Sequence, residues 1–341
     1  MKKEHLKLPI GMCASHARGY KMSLVRKVIY SCKFGGVKYL IYKVLDRMNG
    51  SANAGELRYK IISGADERQY PQLLEKLYAA STGEKLHLEA PVTYNEKIQW
   101  IKLYDKNPLS TMLSDKYKVC DWVADKIGEE YLIPLFGVWD RFDDIDFSKL
   151  PRQFVLKLNT GSGANVIVKD KAEFDLSSAR EKITNAMNKN FAYYWMELHY
   201  KDIVPKIIAE KYLCQNNNEL YDYKFMCFNG EVKYFWVDTG RFTHHRRYIF
   251  DAQGNFTQYR WGYSNAGNVP KLPSNYKEMI RLAAKLSEGF RHVRVDLYNV
   301  EGKIYFGEMT FTTEGGLNFI APKEFNVELG SYINLPTDKT V

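Results

Sequence analysis

Two carboxylates near the C-terminal end of the chain, Asp296 and Glu308, are spaced as a metal-binding pair could be. They lie in V-R-V-D-L-Y-N-V-E-G-K-I-Y-F-G-E, where apolar and polar residues alternate on both sides of Glu301-Gly302. Alternation around a short turn predicts a β-hairpin, which can bring the two carboxylates together. Such a pair suits Mg²⁺, which keeps waters and takes further ligands from substrate phosphates. The pair alone also fits two solvated strand carboxylates.

A glycine-containing loop, Gly161-Ser162-Gly163, follows a predicted strand over residues 153–158 that carries Lys157. Backbone N–H groups in such a loop can approach an anion closely. A lysine inside a strand is costly to bury unless an anion meets it. The loop is thus a candidate phosphate site, although a plain hairpin turn explains the glycines as well.

A basic cluster after the predicted hairpin 222–238 is a second candidate anion site. Its members are Arg241, His244, His245, Arg246 and Arg247. They could bind phosphate or a carboxylate substrate through charge-assisted hydrogen bonds, and a solvated loop fits equally well. No convincing Ser-His-Asp or Cys-His arrangement is found. The five scattered cysteines indicate free thiols in a reducing compartment.

The positive charge of this 341-residue chain is concentrated at its N-terminus. The net charge is +9, and residues 1–50 alone contain eleven Lys or Arg against two acidic residues. The rest of the chain is balanced, which argues against nucleic-acid binding by the main body. No signal peptide is evident and no apolar run reaches 18 residues, so we expect no spanning helix.

Residues 21–48 predict a helix in two pieces, broken at Gly35-Gly36. Phe34, Val37, Ile41, Val44 and Met48 are spaced to share one face, with lysines and an arginine around it. This pattern fits an anionic membrane surface, and it also fits a helix that docks on the body of the protein.

The rest of the chain predicts an α+β protein. We expect residues 1–55 to form a basic amphipathic segment, residues 56–150 a mostly helical domain, and residues 151–341 a module of strands and helices. Within the second region, helices are expected at 72–80, 93–104 and 114–127, with Ser114 as an N-cap. A hairpin turning at Asn229-Gly230 is the clearest strand signal in the third.

Several stretches together resemble one family, the ATP-grasp ligases of the teichuronopeptide-biosynthesis (TupA-like) type. The resemblance covers about residues 70–335 and rests on T-Y-N-E-K-I-Q-W at 93–100, D-K-Y at 115–117, Y-L-I-P at 131–134, F-V-L-K at 154–157, G-S-G at 161–163, I-I-A-E-K-Y-L at 207–213, D-Y-K-F-M-C-F-N-G at 222–230, V-R-V-D-L-Y at 293–298 and Y-F-G-E-M-T-F at 305–311. It implies an ATP-grasp fold of two α+β lobes with the nucleotide between them, preceded by a mostly helical region.

The resemblance also implies the roles of individual residues. ATP phosphates would contact Lys116, Lys157 and the loop Gly161, Ser162, Gly163; the adenine hinge would be Glu210, Lys211, Tyr212 and Leu213, with Asp222 near the ribose. Lys224 and Arg241 would face the phosphoryl-transfer centre, and Asp296, Glu308 and Thr310 would bind Mg²⁺. Thr310 stands where many ATP-grasp proteins have Asn, and Thr160 where the family often has His.

The implied activity is ATP-dependent ligation of a carboxylate and an amine, forming an amide through an acylphosphate. The family's setting suggests that an amino acid or small amine is attached to a uronic acid of a surface polysaccharide such as a capsule. We expect a cytoplasmic protein, peripheral at the inner face of the membrane if residues 21–48 bind lipid. The alternative is a glycosyltransferase of the same polymer, with Asp296 and Glu308 holding the metal of a nucleotide-sugar.

Overall fold

The computed structural model describes residues 14–214, 220–240 and 243–336. By its internal contacts the chain divides into two compact units, residues 1–86 and 87–341. This division coincides with neither of the boundaries expected from sequence, residues 55 and 150, which stay predictions.

The N-terminal unit is helical. It contains α1 (Ala14–Asn49), α2 (Asn53–Ser63) and α3 (Tyr70–Thr82). As predicted, α1 is interrupted at Gly35 and Gly36, whose backbone angles are not helical. Among the helices within the described ranges, none combines the length and the apolar character that crossing a bilayer requires.

The second unit combines helices and antiparallel sheets. Its helices are α4 (Tyr94–Tyr104), α5 (Pro108–Ser114), α6 (Val119–Ile127), α7 (Leu176–Met187), α8 (Ala192–Trp195), α9 (Tyr276–Leu286) and α10 (Lys323–Ser331). Its strands are β1 (Leu135–Trp139), β2 (Phe154–Leu158), β3 (Val166–Val168), β4 (Ile207–Lys211), β5 (Asp222–Phe228), β6 (Glu231–Thr239), β7 (Arg246–Asp251), β8 (Arg260–Trp261), β9 (Val293–Val300), β10 (Lys303–Thr310) and β11 (Ile320–Ala321).

One helix prediction was wrong. The stretch 114–127 is not a single helix, because Ser114 ends α5 and α6 starts only at Val119. The carboxylate of Asp115 accepts hydrogen bonds from the backbone N–H groups of Tyr117 and Lys118. An aspartate that bonds its own backbone in this way favours a turn over a continuous helix.

Two sheets build the two lobes of this unit. The first has the strand order β1-β4-β2-β3, and its core packs against α7. The second has the order β10-β9-β5-β6-β7, and its apolar face packs against α9 and α6. The opposite face of the second sheet carries charged residues, which leaves them available for a site.

The hairpin of β9 and β10 forms as the sequence predicts, with an added irregularity. Its turn residues Glu301 and Gly302 both have positive φ, as two-residue hairpin turns with the favoured twist require. A β-bulge interrupts the ladder between Phe306 and Glu308, so that Glu308 lies opposite Asp296. The bulge changes the face on which later residues of β10 point.

Candidate active site

Asp296 and Glu308 are joined by a residue that the sequence analysis missed, Arg294. Its guanidinium donates two hydrogen bonds to the carboxylate of Asp296, at 2.6 and 2.8 Å, and one to Glu308 Oε1 at 2.8 Å. Bidentate pairs of this kind are strong and directional. The signal was present in V-R-V-D, because residues two apart on a strand share a face.

Lys224 on β5 completes the centre of this cluster. It lies directly across the ladder from Asp296, and its buried ammonium contacts both Asp296 and Asp222, the latter at 3.0 Å. Burial lowers the pKa of Lys224, but the charges of the two carboxylates outweigh it and raise the pKa above its ordinary value. The structure thus brings together Asp222, Lys224 and Asp296, one residue from each of the sets assigned to the ribose, the transfer centre and the metal.

Lys116 links this cluster to the glycine loop. Its Nζ donates to the carbonyl oxygen of Gly161 at 2.6 Å and lies 3.3 Å from Glu308 Oε2. Burial would raise the pKa of Glu308, but Lys116, Arg294 and Lys224 together hold it well below its usual range. Glu308 is therefore ionised, surrounded by cations.

The loop between β2 and β3 is shaped by its glycines and by Phe191. Gly161 has φ +67°, and a Cβ placed there would lie 2.2 Å from the ring of Phe191. Gly163 also has positive φ, but a Cβ at that position would meet no neighbouring atom within 4 Å. Only Gly161 is thus constrained by both backbone and neighbour.

The remaining nucleotide-assigned residues lie on the four-stranded sheet. Lys157 on β2 forms a 2.6 Å ion pair with Glu210 on β4, and both side chains are mostly buried. Lys211 at the end of β4 is exposed, while Tyr212 is partly buried and Leu213 is buried just after it. The roles assigned to these residues stay predictions.

The metal assignment can be tested against the residues present. Thr310 is buried and its hydroxyl donates to Glu308 Oε1 at 3.3 Å, so it lies beside the carboxylate pair. In the described ranges no cluster of three or more His, Cys, Asp or Glu could cage a metal. Two carboxylates fit Mg²⁺, because that ion usually binds through one or two carboxylates, waters and substrate phosphates. Arg241, the second catalytic candidate, lies outside the described residues.

A second buried ion-pair cluster borders the first. Arg247 on β7 donates to both oxygens of Asp238, at 2.8 and 3.0 Å, and to Glu314 at 2.9 Å. His245 Nε2 lies 3.3 Å from Asp238, and its ring packs against that of Tyr263. Burial opposes ionisation of Asp238, but the Arg247 charge prevails and keeps its pKa well below the usual range. Arg247 is thus buried in a strand, not part of a solvated loop.

Helix α4 supports the segment that follows β10. Gln99 Nε2 donates to the carbonyl oxygens of Gly315 and Gly316, at 3.1 and 2.8 Å. Lys102, buried one turn further on, donates to Gly315 and to the carbonyl oxygen of Trp195 at 2.9 Å. One helix therefore holds two separate segments that border the cleft.

These clusters surround a cleft of about 740 Å³. Its lining includes the glycine loop, Lys224, Arg294 and Glu308, and also several other basic and aromatic side chains. These are Lys182, Lys189, Tyr194, Trp195 and Tyr263. A volume of this size accommodates small-molecule substrates.

Two antiparallel lobes and this charged cleft agree with the ATP-grasp fold that the sequence predicts. A sequence model of the TupA-like ATPgrasp family matches residues 96–334, more than half of the chain, and the protein belongs to that family. The resemblance seen in the sequence and the expected fold are thereby confirmed. No curated protein matches the chain.

Similar solved structures include two D-alanine–D-alanine ligases and the ATP-grasp ligase PsnB. The ligase from Bacillus anthracis complexed with ATP is 17% identical over 58% of this chain and 53% of its own, with a TM-score of 0.33. The enzyme from Helicobacter pylori is 14% identical over 71% and 69%, with a TM-score of 0.38. PsnB complexed with minimal precursor is 11% identical over 66% and 61%, with a TM-score of 0.36. The chain thus spans about half the length of the Bacillus anthracis ligase.

Proposed function

We propose that the protein is an ADP-forming ligase that attaches an amino acid or another small amine to a uronic acid of a surface polysaccharide. The observation that carries the proposal is the set of cations around the opposed carboxylates of Asp296 and Glu308, contributed by Lys116, Lys224 and Arg294. Buried cations directed at one point can stabilise the negative charge of a transferring phosphoryl group.

In the proposed reaction, a carboxylate oxygen of the uronic acid attacks the γ-phosphorus of ATP, and ADP leaves. The amine nitrogen then attacks the acyl carbon of the resulting acylphosphate, loses a proton and expels phosphate. The products are an amide, ADP and phosphate. Lys224 and Arg294 would hold the charge of the transferred group, and Arg241 would assist them. Catalysis then depends on positioning and charge, without an enzyme nucleophile.

The residues around the cluster would bind the nucleotide. Lys116, Lys157 and the loop 161–163 would contact the phosphates, the segment 210–213 the adenine and Asp222 the ribose. Asp296, Glu308 and Thr310 would hold Mg²⁺, which when bound neutralises negative charge on phosphate oxygens. Use of ATP agrees with the cytoplasmic location expected from the free cysteines.

The aromatic and basic residues that line the cleft support a sugar acid as the carboxylate substrate. Tyr194, Trp195 and Tyr263 offer amphipathic rings, which suit the mixed apolar and hydroxylated faces of a sugar. Lys182 and Lys189 on the same lining offer cations to a carboxylate. A cleft specific for a purely apolar acid would not need this combination.

The test is to supply the full chain with Mg-ATP, glucuronate or galacturonate, and a mixture of amino acids. We expect ADP and phosphate to form only when both substrates are present. Hydroxylamine in place of the amine should trap the acylphosphate as a hydroxamate. AMP with pyrophosphate would contradict the acylphosphate route, and a nucleoside diphosphate released only from a sugar nucleotide would support the glycosyltransferase instead.

A further inference from the structure

Helix α1 exposes an apolar surface to solvent. Beyond its break, Val37, Ile41, Val44, Leu45 and Met48 are 64, 51, 50, 38 and 77% exposed. Their spacing places them on one side of the helix. Single exposed apolar residues are ordinary, but a contiguous set on one helix marks an interaction surface. We name these five residues the α1 surface.

The α1 surface is not the face by which the helix joins its own unit. Phe34 and Tyr39 are buried, and their rings pack edge to face with centroids 5.0 Å apart. Lys43 donates to Ser31 and to the carbonyl oxygen of Ala80 on α3. Phe34 is therefore a core residue and does not belong to the exposed stripe in which the sequence analysis included it. The helix has one apolar side for the core and another left to solvent.

The exposed charges along α1 are mostly positive. Arg26, Lys33 and Lys38 are exposed, and residues 25–48 contain one acidic residue, Asp46. The Asp46 carboxylate accepts hydrogen bonds from Ser51 and from the backbone of Ala54, so it is engaged at the end of the helix. The exposed charge of α1 is thus mainly positive.

Two tyrosines accompany these lysines. The ammonium of Lys33 lies 5.9 Å from the ring centre of Tyr30, and that of Lys38 lies 5.5 Å from the ring centre of Tyr42. Tyrosine rings and long cationic side chains are typical of the headgroup level of a bilayer, where each keeps an apolar part buried and a polar end in water.

We propose that the α1 surface binds a lipid bilayer that carries anionic headgroups. The apolar residues would enter the boundary between headgroups and acyl chains, and the cations would contact the lipid charges. A second copy of the chain is a poorer occupant, because apposing two identical surfaces would bring their cations together. Binding of this kind is independent of the proposed ligase reaction.

The test is co-sedimentation of the full chain with vesicles of phosphatidylcholine and phosphatidylglycerol, against phosphatidylcholine alone. We expect binding to the anionic vesicles only, weakening steeply as salt rises. Replacing Lys33 and Lys38 with Gln should weaken binding at low salt roughly 25-fold, since each cation near an anionic surface contributes about a fivefold factor.

Variants of the apolar residues separate the contribution of apolar burial to vesicle binding from the contribution of charge. The triple variant Val37→Ser, Ile41→Ser, Val44→Ser should lose vesicle binding with its thermal unfolding unchanged, because all three side chains are exposed. The matched control is Val92→Ser with Val204→Ser, two exposed valines of the other unit, which should bind as the parent does.

Three results would overturn the proposal. The first is that the full chain does not bind anionic vesicles at low salt. The second is equal binding to neutral vesicles. The third is a dimer in light scattering that the triple variant converts to a monomer without changing vesicle binding, which would assign the α1 surface to a second copy.

Discussion

Glu308 lies opposite Asp296 because the hairpin contains a bulge at Gly307. The turn at 301–302 pairs Val300 with Lys303, and the ladder proceeds in register as far as Phe306 and Leu297. Continued without interruption, it would set Gly307 opposite Asp296 and point Glu308 to the core side. The bulge adds one residue, so both carboxylates reach the charged face and meet Arg294.

This arrangement predicts that Glu308→Gln abolishes Mg-dependent ATP turnover while the protein stays folded. The change removes one of the two opposed carboxylates, and loss of metal-linked charge stabilisation costs several kcal/mol in the transition state. Steady-state ADP release at saturating Mg²⁺ measures it. Glu324→Gln, an exposed carboxylate on α10, is the control and should retain full activity. Normal turnover by Glu308→Gln would remove the metal assignment.

Asp296→Asn should lose stability as well as activity. Asp296 is buried between Lys224 and Arg294, so its neutralisation leaves two buried cations with reduced compensation. Breaking a buried ion pair costs about 3–5 kcal/mol. Urea denaturation should show a much larger fall in the free energy of unfolding for Asp296→Asn than for the exposed control Glu324→Gln. Equal, small losses would mean that Asp296 is not held as the structure describes.

Gly161→Ala should impair the glycine loop more than Gly163→Ala. Both residues have positive φ, which costs an alanine about 1 kcal/mol or more, but only at Gly161 would the new methyl group collide with Phe191. We expect a lower melting temperature and a higher KM for ATP in Gly161→Ala. The Gly163→Ala protein, whose site also has positive φ, should show the smaller change in both, and the reverse order would contradict the described loop.

Lys102→Met should displace the segments around Trp195 and Gly315 that border the cleft. Lys102 is a positioning residue whose ammonium holds the carbonyl oxygens of Trp195 and Gly315. We expect the KM for the carboxylate substrate to rise at least about tenfold, equivalent to ~1.4 kcal/mol. The control is Lys97→Met on the same helix, whose ammonium donates to Ile333 instead. A purely structural role for Lys102 would lower stability and leave KM unchanged.

The free energy of unfolding of His292→Gln should fall less on acidification than that of the parent protein. Burial lowers the pKa of His292 to about 4 and that of His199 to about 3, from an ordinary value of 6.5. Between the depressed pKa of each folded histidine and the ordinary value of 6.5, the unfolded chain binds a proton that the folded chain does not bind. The free energy of unfolding therefore falls as pH falls. Each histidine contributes a slope of about 1.4 kcal/mol per pH unit.

Urea denaturation between about pH 6 and pH 4.5 measures this slope. The free energy of unfolding of His292→Gln should depend on pH less steeply than that of the parent, by one histidine's share. Other titrating groups are common to both proteins, so the difference isolates His292. Its ring bonds Tyr94 and the carbonyl oxygen of Cys227, and glutamine retains polar groups for them. Equal slopes would show that His292 is protonated in the folded state.

The hairpins could be predicted because their information is local. Asn229-Gly230 and Glu301-Gly302 adopt positive φ at adjacent positions, and alternating apolar residues on either side define the strands that each turn joins. The break of α1 at Gly35-Gly36 was equally local. The long stretches that resemble the family made the whole fold predictable, beyond these single elements.

Only the tertiary structure decides which residues far apart in sequence contact one another. Arg247 bonds Glu314, and Lys102 bonds Trp195 and Gly315, although these partners are separated by many residues and share no spacing pattern. The bulge at Gly307 decides which face Glu308 occupies, and alternation alone assigns it to the wrong one. A periodic pattern indicates which face of a strand or helix is buried. It does not indicate the partner of a buried charge, because that partner depends on which distant segments pack beside it.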